Sequence, residues 1–143
     1  MIRIYIDSSV LYSAAYSAKG HSRDLILLAI KNEIGLVLSD LVIQEVRRNL
    51  NQNAPETLPV FDFLLSFLPF ETVNPSRDEI LDAAEIVELK DAPILAAAKK
   101  SQVDFFVTLD MKHLLDKPLL SQYSGMPILT SKNAFISIHK PAA

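Results

Sequence analysis

Residues 90–110 read KDAPILAAAKKSQVDFFVTLD, and this stretch decides the fold. Asp91 is followed by a proline and then by small, closely packable apolar residues, a pattern that predicts a short helix beginning at Asp91. Residues 103–107 are nearly all apolar and rich in β-branched and aromatic types, which is typical of a strand buried on both faces of a sheet. Asp110 follows directly, ahead of another short helix predicted at Met111–Leu115. The stretch thus predicts a helix followed by a buried strand. Asp91 stands at the start of the helix, and Asp110 follows the end of the strand.

Outside this stretch, the chain alternates short strands with helices. The other strands are predicted at residues 2–6, 36–38, 70–73 and 127–129, and the other helices at residues 10–18, 23–31, 41–51, 60–68, 77–89 and 132–138. Ser8 or Ser9 is expected to cap the first of these helices, and Ser131 the last. Strands that alternate with helices predict one α/β domain, residues 1–143, with a parallel sheet covered by helices on both faces.

Composition excludes several classes of protein. A chain of 143 residues that is 50% hydrophobic folds into a globular domain, and the absence of cysteine excludes disulfides and thiolate metal sites. No apolar run approaches the roughly 20 residues that span a bilayer, and the first residues, MIRIYID, lack the features of a secretory signal, so we expect a cytoplasmic protein without a membrane segment. A net charge of −3 argues against a DNA-reading protein, but not against an enzyme whose acids hold metal ions.

Four acidic residues stand where a parallel sheet binds its ligands. Asp7 leaves the first strand and Asp110 leaves the fourth, and the carboxyl ends of neighbouring parallel strands meet at one edge. Asp91 begins the helix that leads into the fourth strand, so it is expected near the same edge. Glu45 lies on the border of the apolar stripe of its helix and faces the body of the protein, where a glutamate is disfavoured unless it is paired or metal-bound.

Each acid also has a purely structural interpretation. Asp40, Asp91 and Asp110 are good helix N-caps, and Asp7 can simply end a strand. Gathered at one edge, however, unneutralised carboxylates repel one another and need cations. Oxygen ligands without a set of Cys or His favour Mg²⁺ or Mn²⁺, and such ions activate water for phosphodiester cleavage.

In this order and context the acids resemble those of the PIN domain family, whose best-populated branch is the VapC-type toxin ribonucleases. The resemblance covers residues 2 to about 129. It is carried by the segment Asp7-Ser8-Ser9, by Glu45 on the helix after the second strand, by Asp91 before ILAAA, and by the segment Val107-Thr108-Leu109-Asp110. It implies a three-layer α/β sandwich whose parallel five-stranded sheet has the strand order 3-2-1-4-5.

The resemblance also implies an activity and a site. The activity is Mg²⁺- or Mn²⁺-dependent endonucleolytic cleavage of RNA, with Asp7, Glu45, Asp91 and Asp110 as catalytic, metal-binding acids. Thr108 matches the hydroxyl residue of the family that positions water or a carboxylate near the metal. An antitoxin protein, as in a type II toxin–antitoxin pair, is the partner that this resemblance suggests.

Lys112 departs from the family pattern, because many members carry a further acid at that position. We therefore expect one firmly bound ion, with any second ion arriving with the substrate. The alternative is a catalytically inactive PIN-like module that binds RNA or a protein. An aspartyl-phosphate enzyme using Asp7 is a weaker alternative, since Ser9 stands where such phosphatases carry a second acid.

The segment Val60–Leu68 (VFDFLLSFL) is the most apolar part of the chain outside the predicted strands. A helix that is apolar on nearly all sides must be covered, either by the core or by a partner. We expect a homodimer for this reason.

Overall fold

The computed structural model describes residues 1–140, so the last three residues of the predicted domain lie outside the described part. Its strands are β1 (Arg3–Ile6), β2 (Gly35–Leu38), β3 (Glu71–Thr72), β4 (Phe105–Val107) and β5 (Ile128–Leu129). Its helices are α1 (Ser8–Tyr16), α2 (His21–Ile30), α3 (Asp40–Asn53), α4 (Leu58–Phe67), α5 (Arg77–Ala83), α6 (Ala92–Ser101), α7 (Pro118–Ser124) and α8 (Ser131–His139). A single 3₁₀ turn, Pro55–Thr57, precedes α4.

The five strands form one parallel sheet in the order β3-β2-β1-β4-β5, which confirms the predicted fold. β1 is central, and Ile4, Tyr5 and Ile6 are fully buried. Ile6 lies beside Val107 of β4, so the residues that follow these two strands are also neighbours. This register brings together side chains that are about a hundred positions apart in sequence.

The core explains why α6 carries so many small residues. Leu95, Ala97 and Ala98 are fully buried, and alanine lets a helix approach its neighbours closely. On the sheet, the rings of Tyr5 and Phe106 meet edge-on with centroids 5.5 Å apart. Close packing around the central strands holds their carboxyl ends in fixed positions.

Two predicted helices differ in the structure, and one observed helix was not predicted. The helix predicted at residues 77–89 ends at Ala83, because α5 and α6 pack against each other and the chain must turn between them. The helix predicted at Met111–Leu115 is a run of turns closed by hydrogen bonds to the Asp110 carbonyl. α7 lies in a polar segment for which neither a helix nor a strand was predicted.

Two predicted caps were also wrong. Asp7, and not Ser8 or Ser9, caps α1, since its Oδ1 accepts a hydrogen bond from the backbone N–H of Val10 (3.2 Å). Thr130 caps α8 in place of Ser131. Among residues 1–140, every helix is too short or too polar to cross a bilayer.

Candidate functional site

Asp7 and Thr108 form the centre of the site. They follow Ile6 and Val107, which are paired in the sheet, so their side chains lie next to each other. The Thr108 hydroxyl donates to Oδ2 of Asp7 and accepts from the backbone N–H of Asp110 (3.0 Å). Both side chains are buried, with Asp7 5% and Thr108 0% exposed. One buried hydroxyl thus joins the first and last of the four predicted acids.

Ser9 supports Asp7 from the other side. Its hydroxyl donates to Oδ1 of Asp7 (2.6 Å) and accepts from the backbone N–H of Leu109 (3.0 Å). Ser8, one residue earlier, donates to Oε1 of Glu45 (3.2 Å) and so connects α1 with α3. The two serines therefore fix the carboxylates of Asp7 and Glu45 rather than capping the helix.

Asp91 stands at the N-cap position of α6, but its side chain does not cap the helix. A role as helix N-cap therefore does not explain why residue 91 carries a carboxylate. Partial burial raises the pKa of the Asp91 carboxyl, and the nearby His113 lowers it in part.

Asp110 does act as a local cap. Its Oδ1 accepts from the backbone N–H groups of Lys112 (3.1 Å) and His113 (3.0 Å), and its Oδ2 lies 3.3 Å from Nδ1 of His113. The turns after β4 thus hold this carboxylate in place, while the imidazole stands beside it.

All four predicted acids line one cavity of about 160 Å³, which we call the acid cavity. Its lining residues are Asp7, Ser8, Ser9, Glu45, Lys90, Asp91, Ile94, Asp110 and Leu114. They come from the segments that follow β1 and β4, from the first turn of α1, from the second turn of α3 and from the start of α6. The structure therefore brings Asp7, Glu45, Asp91 and Asp110 together at the carboxyl edge of the sheet.

The charged form of Asp7 is unfavourable in the acid cavity without a cation. Within residues 1–140, Asp7 has no Lys, Arg or His nitrogen within 4.0 Å. Burial raises the pKa of the Asp7 carboxyl, and its hydrogen bonds to Ser9 and Thr108 offset only part of that effect. A buried carboxylate that faces three other acids is the arrangement that a bound divalent ion stabilises.

The donor set fits a hard cation such as Mg²⁺ or Mn²⁺, because carboxylates supply the ligand oxygens. The four acids do not converge as tightly as direct ligation by all of them requires. In the described part of the chain, Glu88, Asp91 and His113 form the group of three or more candidate ligands whose atoms all lie within 4.8 Å of one another. Mg²⁺ commonly keeps several waters, so an ion among the four acids does not need to touch each carboxylate directly.

Sequence reasoning missed two residues of this region. Lys90 lines the acid cavity, and Glu88 joins Asp91 and His113 in the group just described. Glu88 lies between α5 and α6, where a helix was predicted up to residue 89, and Lys90 directly follows that predicted helix. Only the position of Lys90 next to Asp91 hinted at its role.

The comparisons with known proteins agree on one fold. A family model described as PIN domain matches residues 4–116. The crystal structure of PAE2754 from Pyrobaculum aerophilum is 19% identical with a TM-score of 0.67, covering 96% of this chain and 95% of that one. The structure of VapBC2 from Rickettsia felis, bound to a DNA fragment from their promoter, is 13% identical with a TM-score of 0.62, covering 90% of this chain and 98% of that one. A search of curated proteins gives no significant match.

Proposed function

Because this chain belongs to the PIN domain family, we propose that it is a metal-dependent endoribonuclease that hydrolyses RNA phosphodiester bonds. PIN domains are generally nucleases. The single observation that supports this proposal most is the lining of the acid cavity, where Asp7, Glu45, Asp91 and Asp110 stand around one space at the carboxyl edge of the sheet.

In the proposed mechanism, these four acids hold Mg²⁺ or Mn²⁺. When bound, such an ion activates a water and stabilises the charge that develops on the phosphate. Thr108 and Ser9 fix both oxygens of Asp7, so that its orientation does not depend on the metal. Ser8 does the same for Glu45.

Lys90 has a proposed role in binding the substrate. Its side chain is exposed, and among residues 1–140 its one ion pair is a long contact with Glu88 (3.7 Å), which is a weak interaction at the surface. An ammonium group at the wall of an acidic cavity can hold a phosphate oxygen while the acids hold the cation.

An RNase assay with Mn²⁺ tests the proposal. We expect the wild-type protein to cleave RNA, chelation with EDTA to abolish cleavage, and Asp7→Asn or Asp110→Asn to reduce the rate by about 100-fold or more. Asp78→Asn is the matched control, because Asp78 is an exposed residue of α5 outside the acid cavity, and it should cleave like wild type. Cleavage that persists unchanged in Asp7→Asn would point to a contaminant or a different site.

A catalytically inactive module is the alternative, and it rests on Lys112. This residue is exposed and lines a neighbouring pocket rather than the acid cavity, so it does not replace an acidic ligand. We propose that the chain binds one ion firmly and that any second ion arrives with the substrate. Calorimetric titration of the free protein with Mn²⁺ should give one tight site, and two tight sites would contradict this.

We also propose that the protein is the toxin of a toxin–antitoxin pair and forms a homodimer. The structural similarity to VapBC2 from Rickettsia felis supports the proposal of an antitoxin partner.

The proposed homodimer rests on α4. On this helix, Val60, Phe63 and Phe67 are 45%, 64% and 60% exposed, and the two phenylalanine rings lie 4.8 Å apart. An exposed apolar cluster of this kind is typical of a surface that another chain covers.

A further inference from the structure

Two larger cavities share lining residues with the acid cavity. The tyrosine groove, of about 580 Å³, is lined by Ser8, Ser9, Tyr12, Asn49 and Asn53. It shares both serines with the acid cavity. The lysine pocket, of about 290 Å³, lies beyond Asp91 and shares that residue with the acid cavity. The acid cavity thus shares lining residues with both of the other spaces, and these shared residues differ: two serines for one space and Asp91 for the other.

The tyrosine groove has the chemistry of a nucleobase site. Tyr12 is half-buried, and Tyr16 stacks on it from the next turn of α1 with centroids 5.8 Å apart and planes 16° apart, which fixes its ring. Asn49 and Asn53 are one turn apart on α3, and amide side chains both donate to and accept from base edges. No charged residue lines this groove within the described part of the chain. A stacking ring beside uncharged hydrogen-bonding groups suits a base better than a phosphate.

The lysine pocket has the chemistry of a phosphate site, which complements the base site in the tyrosine groove. Lys112, Lys117 and His113 line it together with the carboxylates of Glu88 and Asp91. Both lysines are exposed, and neither forms an ion pair within residues 1–140. Ile86, Val87 and Leu120 provide an apolar wall. Two ammonium groups without ion pairs, beside an apolar wall, suit a nucleotide whose phosphate is neutralised by lysine.

We propose that the tyrosine groove and the lysine pocket are nucleotide subsites on opposite sides of the bond that is cleaved. An unpaired base stacks on Tyr12 and is contacted by Asn49 and Asn53, while Lys112 and Lys117 hold a phosphate on the other side of the acid cavity. A base in a duplex cannot reach Tyr12, because its faces are covered by its neighbours. The inference rests on the proposed nuclease function, which defines the bond between the two subsites.

Binding measured without metal tests these subsites independently of cleavage. The probe is a fluorescein-labelled ten-nucleotide RNA of mixed sequence, alone or in a duplex, in EDTA and over a series of salt concentrations. We expect wild type to bind the single strand more tightly than the duplex. Tyr12→Ala should weaken binding of the single strand by about tenfold, whereas Tyr12→Phe keeps the stacking ring and should bind like wild type.

The lysine pocket has its own readout. Lys117→Ala should weaken binding and lower the slope of log K against log salt by about one, while Tyr12→Ala leaves this slope unchanged. Lys31→Ala is the matched control, because Lys31 is an exposed lysine at the end of α2, just before β2 and so at the opposite edge of the sheet, and it should change neither quantity.

The results separate the two proposals. Equal binding by wild type, Tyr12→Ala and Lys117→Ala, or failure of the free protein to bind RNA, would overturn the subsites, even if the protein cleaves RNA with Mn²⁺. If the variants weaken binding as expected but no cleavage occurs with Mn²⁺, the two RNA-binding sites stand, whereas the nuclease proposal fails and with it their assignment to either side of a cleaved bond.

Discussion

At the scale of single residues, the site depends on the hydroxyl of Thr108. This group is fully buried and forms hydrogen bonds with two of the acids. It donates to the carboxylate of Asp7 and accepts from the backbone N–H of Asp110. Sequence reasoning found Thr108 only through the family resemblance. Its position beside Asp7 follows from strand pairing, which a single sequence does not reveal.

Replacing Thr108 by valine keeps the shape of the side chain and removes the hydroxyl. Asp7 then loses a hydrogen-bond donor and the N–H of Asp110 loses its acceptor, so we expect the free energy of unfolding to fall by about 1–3 kcal/mol. RNA cleavage should fall as well. Thr108→Ser retains the hydroxyl and should remain close to wild type in both thermal unfolding and cleavage. Equal stability and activity of the valine and serine variants would contradict the proposed role.

Asp7→Asn should stabilise the metal-free protein in a pH-dependent manner. Burial raises the pKa of Asp7 in the folded state, so the folded protein binds the proton more tightly than the unfolded chain. At low pH the carboxyl is protonated in both the folded and the unfolded state, so no charge is buried and the free energy of unfolding is not lowered. As the pH rises through the folded-state pKa, the buried charge lowers stability in full. In EDTA, we expect Asp7→Asn to melt a few degrees higher than wild type at pH 7–8, and the difference to shrink towards pH 4.

Asp78→Asn provides the control for this measurement, since an exposed aspartate carries no comparable cost of burial. A melting temperature of Asp7→Asn at or below that of wild type across the whole pH range would show that the charge of Asp7 is already compensated in the folded protein.

At the scale of elements, α6 was predicted well and its surroundings were not. The proline after Ala92 and the two lysines at the C-terminal end mark both ends of this helix, so its bounds follow from local chemistry. The turns between α5 and α6 do not follow from local chemistry, because residues 84–89 favour a helix and only the packing of α5 against α6 requires a reversal. Glu88 was missed for that reason, whereas Lys90 lies just after the predicted helix and only its position next to Asp91 pointed to it.

The C-terminal end of α6 also stores backbone strain. Gln102 adopts the left-handed conformation (φ 50°, ψ 46°), which costs a residue with a Cβ about 1 kcal/mol relative to glycine. Gln102→Gly should therefore raise the free energy of unfolding by about that amount and the melting temperature by roughly 2–4 °C, as measured by thermal denaturation. Gln102→Ala keeps the strain and should show no gain. If glycine is no better than alanine, the left-handed conformation is not the source of strain.

At the scale of the whole molecule, alternation of strands and helices was enough to predict a parallel sheet covered on both faces. The strand order came from the family resemblance, because several orders fit the same alternation. The gathering of Asp7, Glu45, Asp91 and Asp110 in one cavity follows from that order, since β1 is flanked by β2 and β4. The tyrosine groove was beyond sequence reasoning, because nothing local places Tyr12 opposite Asn49.

The proposed homodimer makes a prediction at the same scale. If α4 forms the interface, light scattering should give twice the mass of one chain for wild type, and the double variant Phe63→Glu/Phe67→Glu should be monomeric. Leu81→Glu is the control, because Leu81 is 50% exposed on α5, and this variant should remain dimeric. A wild-type monomer, or a double variant that still dimerises, would exclude α4 as the dimer interface.

The most direct test of the central claim is an anomalous difference map from crystals grown with Mn²⁺. The claim is that four acids spread over about a hundred positions share one divalent ion. We predict a single strong peak inside the acid cavity, within ligand or water-mediated distance of Asp7, Glu45, Asp91 and Asp110. An empty acid cavity, or a peak found only between Glu88 and His113, would contradict the account.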